Sequence, residues 1–344
     1  MRIFIAVFLL ASNMILYSCS DVNGISEPDQ ERTIDWVIQN RPQDLVVVAA
    51  VFTDNLRKLV LFDYYNPQNY KIVTDESFGA VYPVFSHDKK KIIFGDWNDW
   101  ANEAGPALML YDVVRDTVQP IIAENFYSDN NLPGINMIWN ADDTGFYFTW
   151  AGDWYGQRIL YYDFETRLYS HFYFNRGKDT YAVSLIPPDT LIVFTNDTLV
   201  TGQPEGLYYM STNGQFLSRI NIDKLVYYTP NNNHPYPAGL QWINSKQLFL
   251  ISERGNFIPN YFITVRISIS NRDGSFYKAF ELKDSLADGP IAWNIREDKI
   301  IFLRNPLSSG STKLMLLNYK NGEVQDFFTP NMIPNCAYIM GAAF

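Results

Sequence analysis

The chain has 344 residues, 47% of them hydrophobic and 16% aromatic, and a formal net charge of −10. An apolar share of this size excludes a largely disordered chain and is enough for an extensive packed core. The acidic balance argues against nucleic acid and anionic lipid headgroups as partners.

Met1-Arg2 followed by the apolar run from Ile3 to Ala11 has the form of an export signal and is too short to span a bilayer. It leads into Leu16-Tyr17-Ser18-Cys19, which resembles a bacterial lipobox. The expectation is a signal peptide over residues 1–18, cleavage before Cys19, and lipid on that thiol as the attachment to the membrane. Ser20 after the cysteine resembles lipoproteins sent onward to the outer membrane. Residues 19–33 are polar, contain Gly24 and Pro28, and read as the lipidated Cys and a flexible tether. Only Cys336 remains beyond Cys19, so no intrachain disulfide is expected and stability must come from packing.

From there to residue 344 the sequence repeats. A bulky apolar residue is followed nine residues later by another, across a polar turn: Trp36 to Leu45, Phe85 to Phe94, Trp139 to Phe148, Leu185 to Phe194, Trp242 to Ile251 and Trp293 to Phe302. The anchors lie 49, 54, 46, 57 and 51 residues apart. Short strands repeating at this interval indicate a propeller or solenoid, in which each unit buries its faces only against its neighbours. The second unit shows the content of one repeat. Val81 to Phe85, Ile92 to Phe94, Ala107 to Tyr111 and Val118 to Ile122 are four apolar stretches separated by polar breaks, as in a four-stranded antiparallel blade. The third strand recurs as Leu61-Phe62-Asp63, Leu110-Tyr111-Asp112, Tyr161-Tyr162-Asp163 and Leu316-Leu317-Asn318. The hairpin dipeptides Asn213-Gly214, Asp273-Gly274 and Asn321-Gly322 suit tight turns with positive φ. The predicted fold is therefore all-β: a six-bladed β-propeller of four-stranded blades over residues 34–344. To close the ring, the apolar segment from Cys336 to Phe344 is expected beside the stretch from Asp44 to Thr53; the alternative places Ile34 to Ile38 in that slot.

The segment Tyr82-Pro83-Val84-Phe85-Ser86-His87-Asp88-Lys89-Lys90-Lys91-Ile92-Ile93-Phe94 resembles the repeat of TolB-type propellers, Pro-x-Trp-Ser-Pro-Asp-Gly-Lys-x-Ile-x-Phe. Degenerate copies run from Trp139 to Phe148 and from Gly289 to Phe302, and the Pro-Asp-Gly turn is intact in none of them. The resemblance implies a six-bladed propeller in the cell envelope. It does not extend to the N-terminal α/β domain of TolB or to the partners of TolB. The Gly-x-Ser-x-Gly elbow of propeller-bearing hydrolases is absent.

In a propeller, the connections from second to third strands and from blade to blade share one face, here called upper. In the second unit this connection carries Trp97, Asp99 and Trp100; in the third it carries Asp153, Trp154 and Tyr155; in the fifth it falls at Glu253 and Arg254. Indole faces beside carboxylates suit sugar rings or peptide side chains. The upper rim is thus the expected binding surface, for an envelope protein or a glycan, with no cofactor, no metal and a monomeric chain. An alternative is a lyase or glycoside hydrolase using Asp96, Asp99, Asp153 and Glu253. A further alternative is a sensor of an extracellular ligand. His87, His171 and His234 are scattered, which does not support a metal site of neighbouring histidines.

Overall fold

The computed structural model describes residues 32–96, 107–122, 133–151, 157–174, 180–195, 206–220, 239–258, 261–282, 285–294, 296–306 and 312–344. The chain separates into two units, residues 1–33 and Ile34–Phe344. The expected signal, Cys19 and nearly all of the tether lie outside the described residues.

The second unit opens with a short helix, α1 (Ile34–Asn40), where the alternative ring closure called for a strand. Ile34 and Val37, three residues apart, form its buried stripe, and Asp35 sits in its first turn, where a carboxylate favours the helix dipole. Trp36 is therefore helical, and Trp36 to Leu45 is not a strand pair; this copy of the repeat is corrected. The first strands follow: β1 (Leu45–Phe52), β2 (Arg57–Asp63) and β3 (Asn66–Ile72). The second blade is β4 (Ala80–Phe85), β5 (Lys91–Asp96), β6 (Ala107–Asp112) and β7 (Thr117–Ile122). The third is β8 (Pro133–Trp139), β9 (Gly145–Ala151), β10 (Gln157–Asp163) and β11 (Leu168–Phe174). The fourth is β12 (Thr180–Ile186), β13 (Thr190–Thr195), β14 (Gly206–Ser211) and β15 (Phe216–Arg219). The fifth is β16 (Gly239–Ile243), β17 (Leu248–Ile258), β18 (Tyr261–Asn271) and β19 (Phe276–Glu281). The sixth is β20 (Ser285–Asn294), β21 (Lys299–Pro306), β22 (Lys313–Asn318) and β23 (Val324–Phe328). The last strand, β24 (Cys336–Ala343), returns to the first blade, which has the order β24-β1-β2-β3. It pairs antiparallel with β1, from Val47 opposite Ala343 to Phe52 opposite Cys336, so the ring closes through the C-terminal segment. The inner strands touch in cyclic order, β24 to β4, β8, β12, β16, β20 and back to β24.

Six apolar clusters fill the six seams between blades. Alternation along each strand sends successive side chains to opposite seams. Thus Val46, Val48 and Ala50 of β1 pack on Ile301, Leu303 and Leu316 of the sixth blade, whereas Val47 and Ala49 pack on Phe85, Ile92 and Phe94 of the second. The nine-residue repeat follows from the same alternation. Phe85 and Phe94 share one seam, as do Trp139 with Phe148, Trp242 with Ile251, and Trp293 with Phe302. The fourth blade departs from this. Its turn from β12 to β13 is one residue shorter, so Leu185 faces Leu191, whereas Phe85 faces Ile92 seven residues on. A single-residue change reverses the facing of everything beyond it. Leu185 therefore lies in the seam with the third blade and Phe194 in the seam with the fifth. Val193 is the residue that packs with Leu185, at a spacing of eight.

The recurring Asp or Asn at the end of the third strand also has a local cause. Asp63, Asp112, Asp163 and Asn318 each accept backbone N–H bonds from the hairpin that follows, for example Thr166 N to Asp163 Oδ1 at 2.8 Å. Such Asx turns fix the hairpin locally. Gly214, Gly274 and Gly322 have φ of 81°, 84° and 76°, as their Asn-Gly and Asp-Gly dipeptides require.

Candidate binding surfaces

The upper rim is built from the connections that join the second to the third strand of each blade and one blade to the next. Trp97, Asp99, Trp100, Asp153, Trp154 and Tyr155 lie outside the described residues. Asp96, one of the carboxylates of the hydrolytic alternative, ends β5; it is 6% exposed and accepts Gly79 N at 2.6 Å. This hydrogen bond ties the entry of β4 to the exit of β5 and gives the carboxylate a structural use. Glu253 and Arg254 are not in a connecting loop, as the repeat had suggested, but inside β17. Glu253 pairs with Arg266 and Arg254 with Thr264, with a register shift between them. The strand pair continues to Ile258 opposite Tyr261, six residues of β17 beyond Ser252, its last partner in β16. At about 3.3 Å per residue this extension is roughly 20 Å long. The apolar-polar alternation on which the repeat rests fades in Glu253-Arg254-Gly255-Asn256, and charged and Gly residues there read as a loop. The β-rich run Tyr261-Phe262-Ile263-Thr264-Val265 was the signal available for a longer strand.

The lower face is made of first-to-second and third-to-fourth connections, and it is pinned across blade boundaries. Asp143 of the third blade accepts His87 N and Asp88 N of the second at 2.9 and 3.1 Å, and His87 Nδ1 lies 2.8 Å from its Oδ1. The Asp143 carboxylate raises the pKa of His87 above its ordinary value. Burial pushes Asp143 up, but its hydrogen bonds from the His87 ring and from two backbone N–H groups outweigh that and hold it low. At the sixth and first blades, Tyr64 OH donates to Glu297 Oε2 at 3.0 Å, Lys299 Nζ lies 2.9 Å from the same oxygen, and Arg296 pairs with Asp44 at 3.2 Å. Burial, and then the Glu297 charge, raise the Tyr64 phenol. Elsewhere Lys71 of the first blade bridges to Asp116 of the second at 2.7 Å, and Lys278 of the fifth donates to the Tyr319 carbonyl of the sixth at 2.7 Å.

Lys89 is the unexpected member of this face. It occupies the glycine slot of the TolB-type turn and keeps the left-handed backbone that slot demands, with φ of 61°. Its side chain does not reach solvent. It is 6% exposed, donates to the Leu45 carbonyl at 3.1 Å, and its Nζ lies 4.2 Å from the Phe85 ring centre and 4.3 Å from that of Phe344. Burial lowers its pKa to about 7, opposed by the nearby Asp44 carboxylate. Lys89 therefore joins the second blade to β1 and to the end of the ring-closing strand. Nothing in a run of three lysines sets this one apart as buried, so its burial is not legible from the residues alone. Among the described residues, no group of three His, Cys, Asp or Glu side chains is placed to hold a metal ion.

Six four-stranded antiparallel blades, closed by the last strand, make the domain a six-bladed β-propeller. Its fold is TolB-like: the chain matches TolB from Acinetobacter baumannii at 14% identity over 87% of this chain and 66% of that one, with a TM-score of 0.63. It also matches a protein assigned as TolB from Agrobacterium tumefaciens, at 11% identity over 79% and 88% of the two chains with a TM-score of 0.57. Hydrazine synthase of Kuenenia stuttgartiensis is similar at 11% identity over 87% of this chain and 46% of that one, with a TM-score of 0.61. This chain thus spans just under two thirds of the A. baumannii TolB chain. At these identities the likeness is one of fold. No family model and no curated protein matches the sequence.

Proposed function

We propose that the protein is an exported, lipid-anchored binding or scaffolding module of a bacterial envelope, in which the upper rim holds a protein or glycan partner. The observation that carries this reading is the β17–β18 hairpin, which runs six residues beyond the last β16 partner on the upper side of a ring whose blades are tied together below. The lower face is clamped blade to blade by buried and partly buried polar contacts. The upper face bears the long β17–β18 hairpin, and the sequence between β5 and β6 and between β9 and β10 is rich in Trp and Asp. A stiff ring presenting unlike loops is suited to recognition, because the scaffold limits the ordering cost of binding. The TolB-like fold and the export signal support an envelope location.

The test is capture from envelope extract, alongside a glycan array, by the full chain and by Trp97→Ala, Trp100→Ala and Trp154→Ala variants. One stoichiometric protein, or one glycan class, should be retained by the wild type and lost by at least two variants whose thermal unfolding is unchanged. Retention of the same partner by all three variants would move the site off the rim.

A further inference from the structure

We propose that the lower face of the propeller docks on a zwitterionic lipid surface, so that the upper rim is held pointing away from the bilayer. This rests on the lipid-anchored reading. The first observation is a position, repeated six times. Every blade exposes an apolar side chain in its third-to-fourth-strand hairpin or within two residues of it: Tyr65, Val114, Leu168, Leu217, Tyr277 and Val324, between 37% and 69% exposed. A single exposed leucine needs no explanation, but one such residue in or beside the same hairpin of every blade makes an apolar circuit around one face. Core packing does not require it, because the alternate residues of the same strands already fill the seams.

The second observation is where the chain enters. Tyr64 N, in the β2–β3 hairpin, donates to the Asp44 carbonyl at 2.8 Å, immediately after α1 and immediately before β1. The polypeptide therefore joins the ring on the face that carries the apolar circuit. Fourteen residues lie between Cys19 and Ile34. Fully extended, that length of chain reaches at most about 50 Å. A lipid-bearing Cys19 would keep this face at the bilayer interface. Charge selects the lipid. The hairpins carry both signs, as in Asp112 with Arg115 and Asp298 with Lys320, and the chain as a whole is at −10. That leaves no attraction to anionic headgroups and favours a neutral surface into which Leu, Val and Tyr side chains partition.

The experiment uses the full lipidated chain in a Cys336→Ser background, reconstituted in phosphatidylethanolamine–phosphatidylcholine vesicles with brominated acyl chains. An environment-sensitive fluorophore is placed by Leu168→Cys, Leu217→Cys or Val324→Cys, with Ile72→Cys, at the end of β3 away from its hairpin, as reference. The expected result is a blue shift and bromine quenching at 168, 217 and 324, and neither at 72. Combining Leu168→Glu, Leu217→Glu and Tyr277→Glu should abolish quenching at 324. Equal, weak quenching at all four positions overturns the proposal. So does protection from aqueous iodide without bromine quenching, which would mean a protein covers the face. Palmitate incorporation into the wild type, and its loss in Cys19→Ala, reports the anchor separately. Incorporation without quenching defeats the docking surface alone, and no incorporation defeats both.

Discussion

Two side chains on the lower face make opposite demands on pH. Lys89 is buried with its pKa lowered to about 7, below the value of a lysine in an unfolded chain. Between those values the unfolded state holds the proton and the folded state does not, so stability rises with pH through this window and is lowest where both forms are charged. The whole effect is of order a few kcal/mol. Lys89→Met should raise stability near pH 7 and flatten the rise in urea midpoint between about pH 7 and 10; a slope equal to wild type would show that the amine is hydrated. His87 has the reverse sign. Its pKa is raised by Asp143, so its contribution is complete below the unfolded value and is lost as pH climbs through the folded one. His87→Gln should remove a fall in stability that begins as pH rises past the ordinary histidine value of about 6.5, while leaving the Lys89-dependent rise in place. Neither residue could be read from the sequence, since the contacts that define them cross from one blade to another. Trp139, Trp242 and Trp293 were legible because their burial depends on a strand period that a single chain segment displays.

At the scale of elements, the fourth blade separates a sequence spacing from a structural equivalence. Leu185 and Phe194 keep the nine-residue interval, yet the shortened turn puts them on opposite faces of their sheet. A double-mutant cycle between Leu185→Ala and Phe194→Ala should therefore show coupling near zero. Phe194→Ala with Trp242→Ala, which share a seam, should couple by about 0.5–3 kcal/mol in chemical denaturation. A large first coupling with no second would return Phe194 to the other seam. The four-stranded blade and its Asx-capped hairpins were visible in the sequence because they are local. The first helix was not, because Trp36-Val37-Ile38 suits a strand as well as a helix, and only packing of Ile34 and Val37 into the seam beside Leu59 and Leu61 decides between them. The length of β17 was hidden for the opposite reason: its outer half is polar and glycine-bearing, and its pairing with β18 overrides that composition.

The whole molecule depends on one strand being in place. Ile339 of β24 is 2% exposed in the cluster shared by the first and sixth blades, and the pairing of β24 with β1 covers what would otherwise be an open apolar edge. Ile339→Ala should cost about 2–5 kcal/mol by urea denaturation. Ile339→Asp should leave a species that elutes early in gel filtration, as β1 seeks another edge; a monomeric, cooperatively unfolding Ile339→Asp protein would show that the ring holds without this latch. The closure was legible from the apolar C-terminal segment, whereas the upper-rim candidates are legible only as composition.

That latch also sets an order of events during synthesis. β1 is made near the beginning of the domain and its partner at residues 336–343, so nearly three hundred residues must leave the ribosome before the first sheet acquires its innermost strand. Until then the first and last blades lack the shared seam that makes the circle a single cooperative body, so closure is the last long-range contact the domain can make.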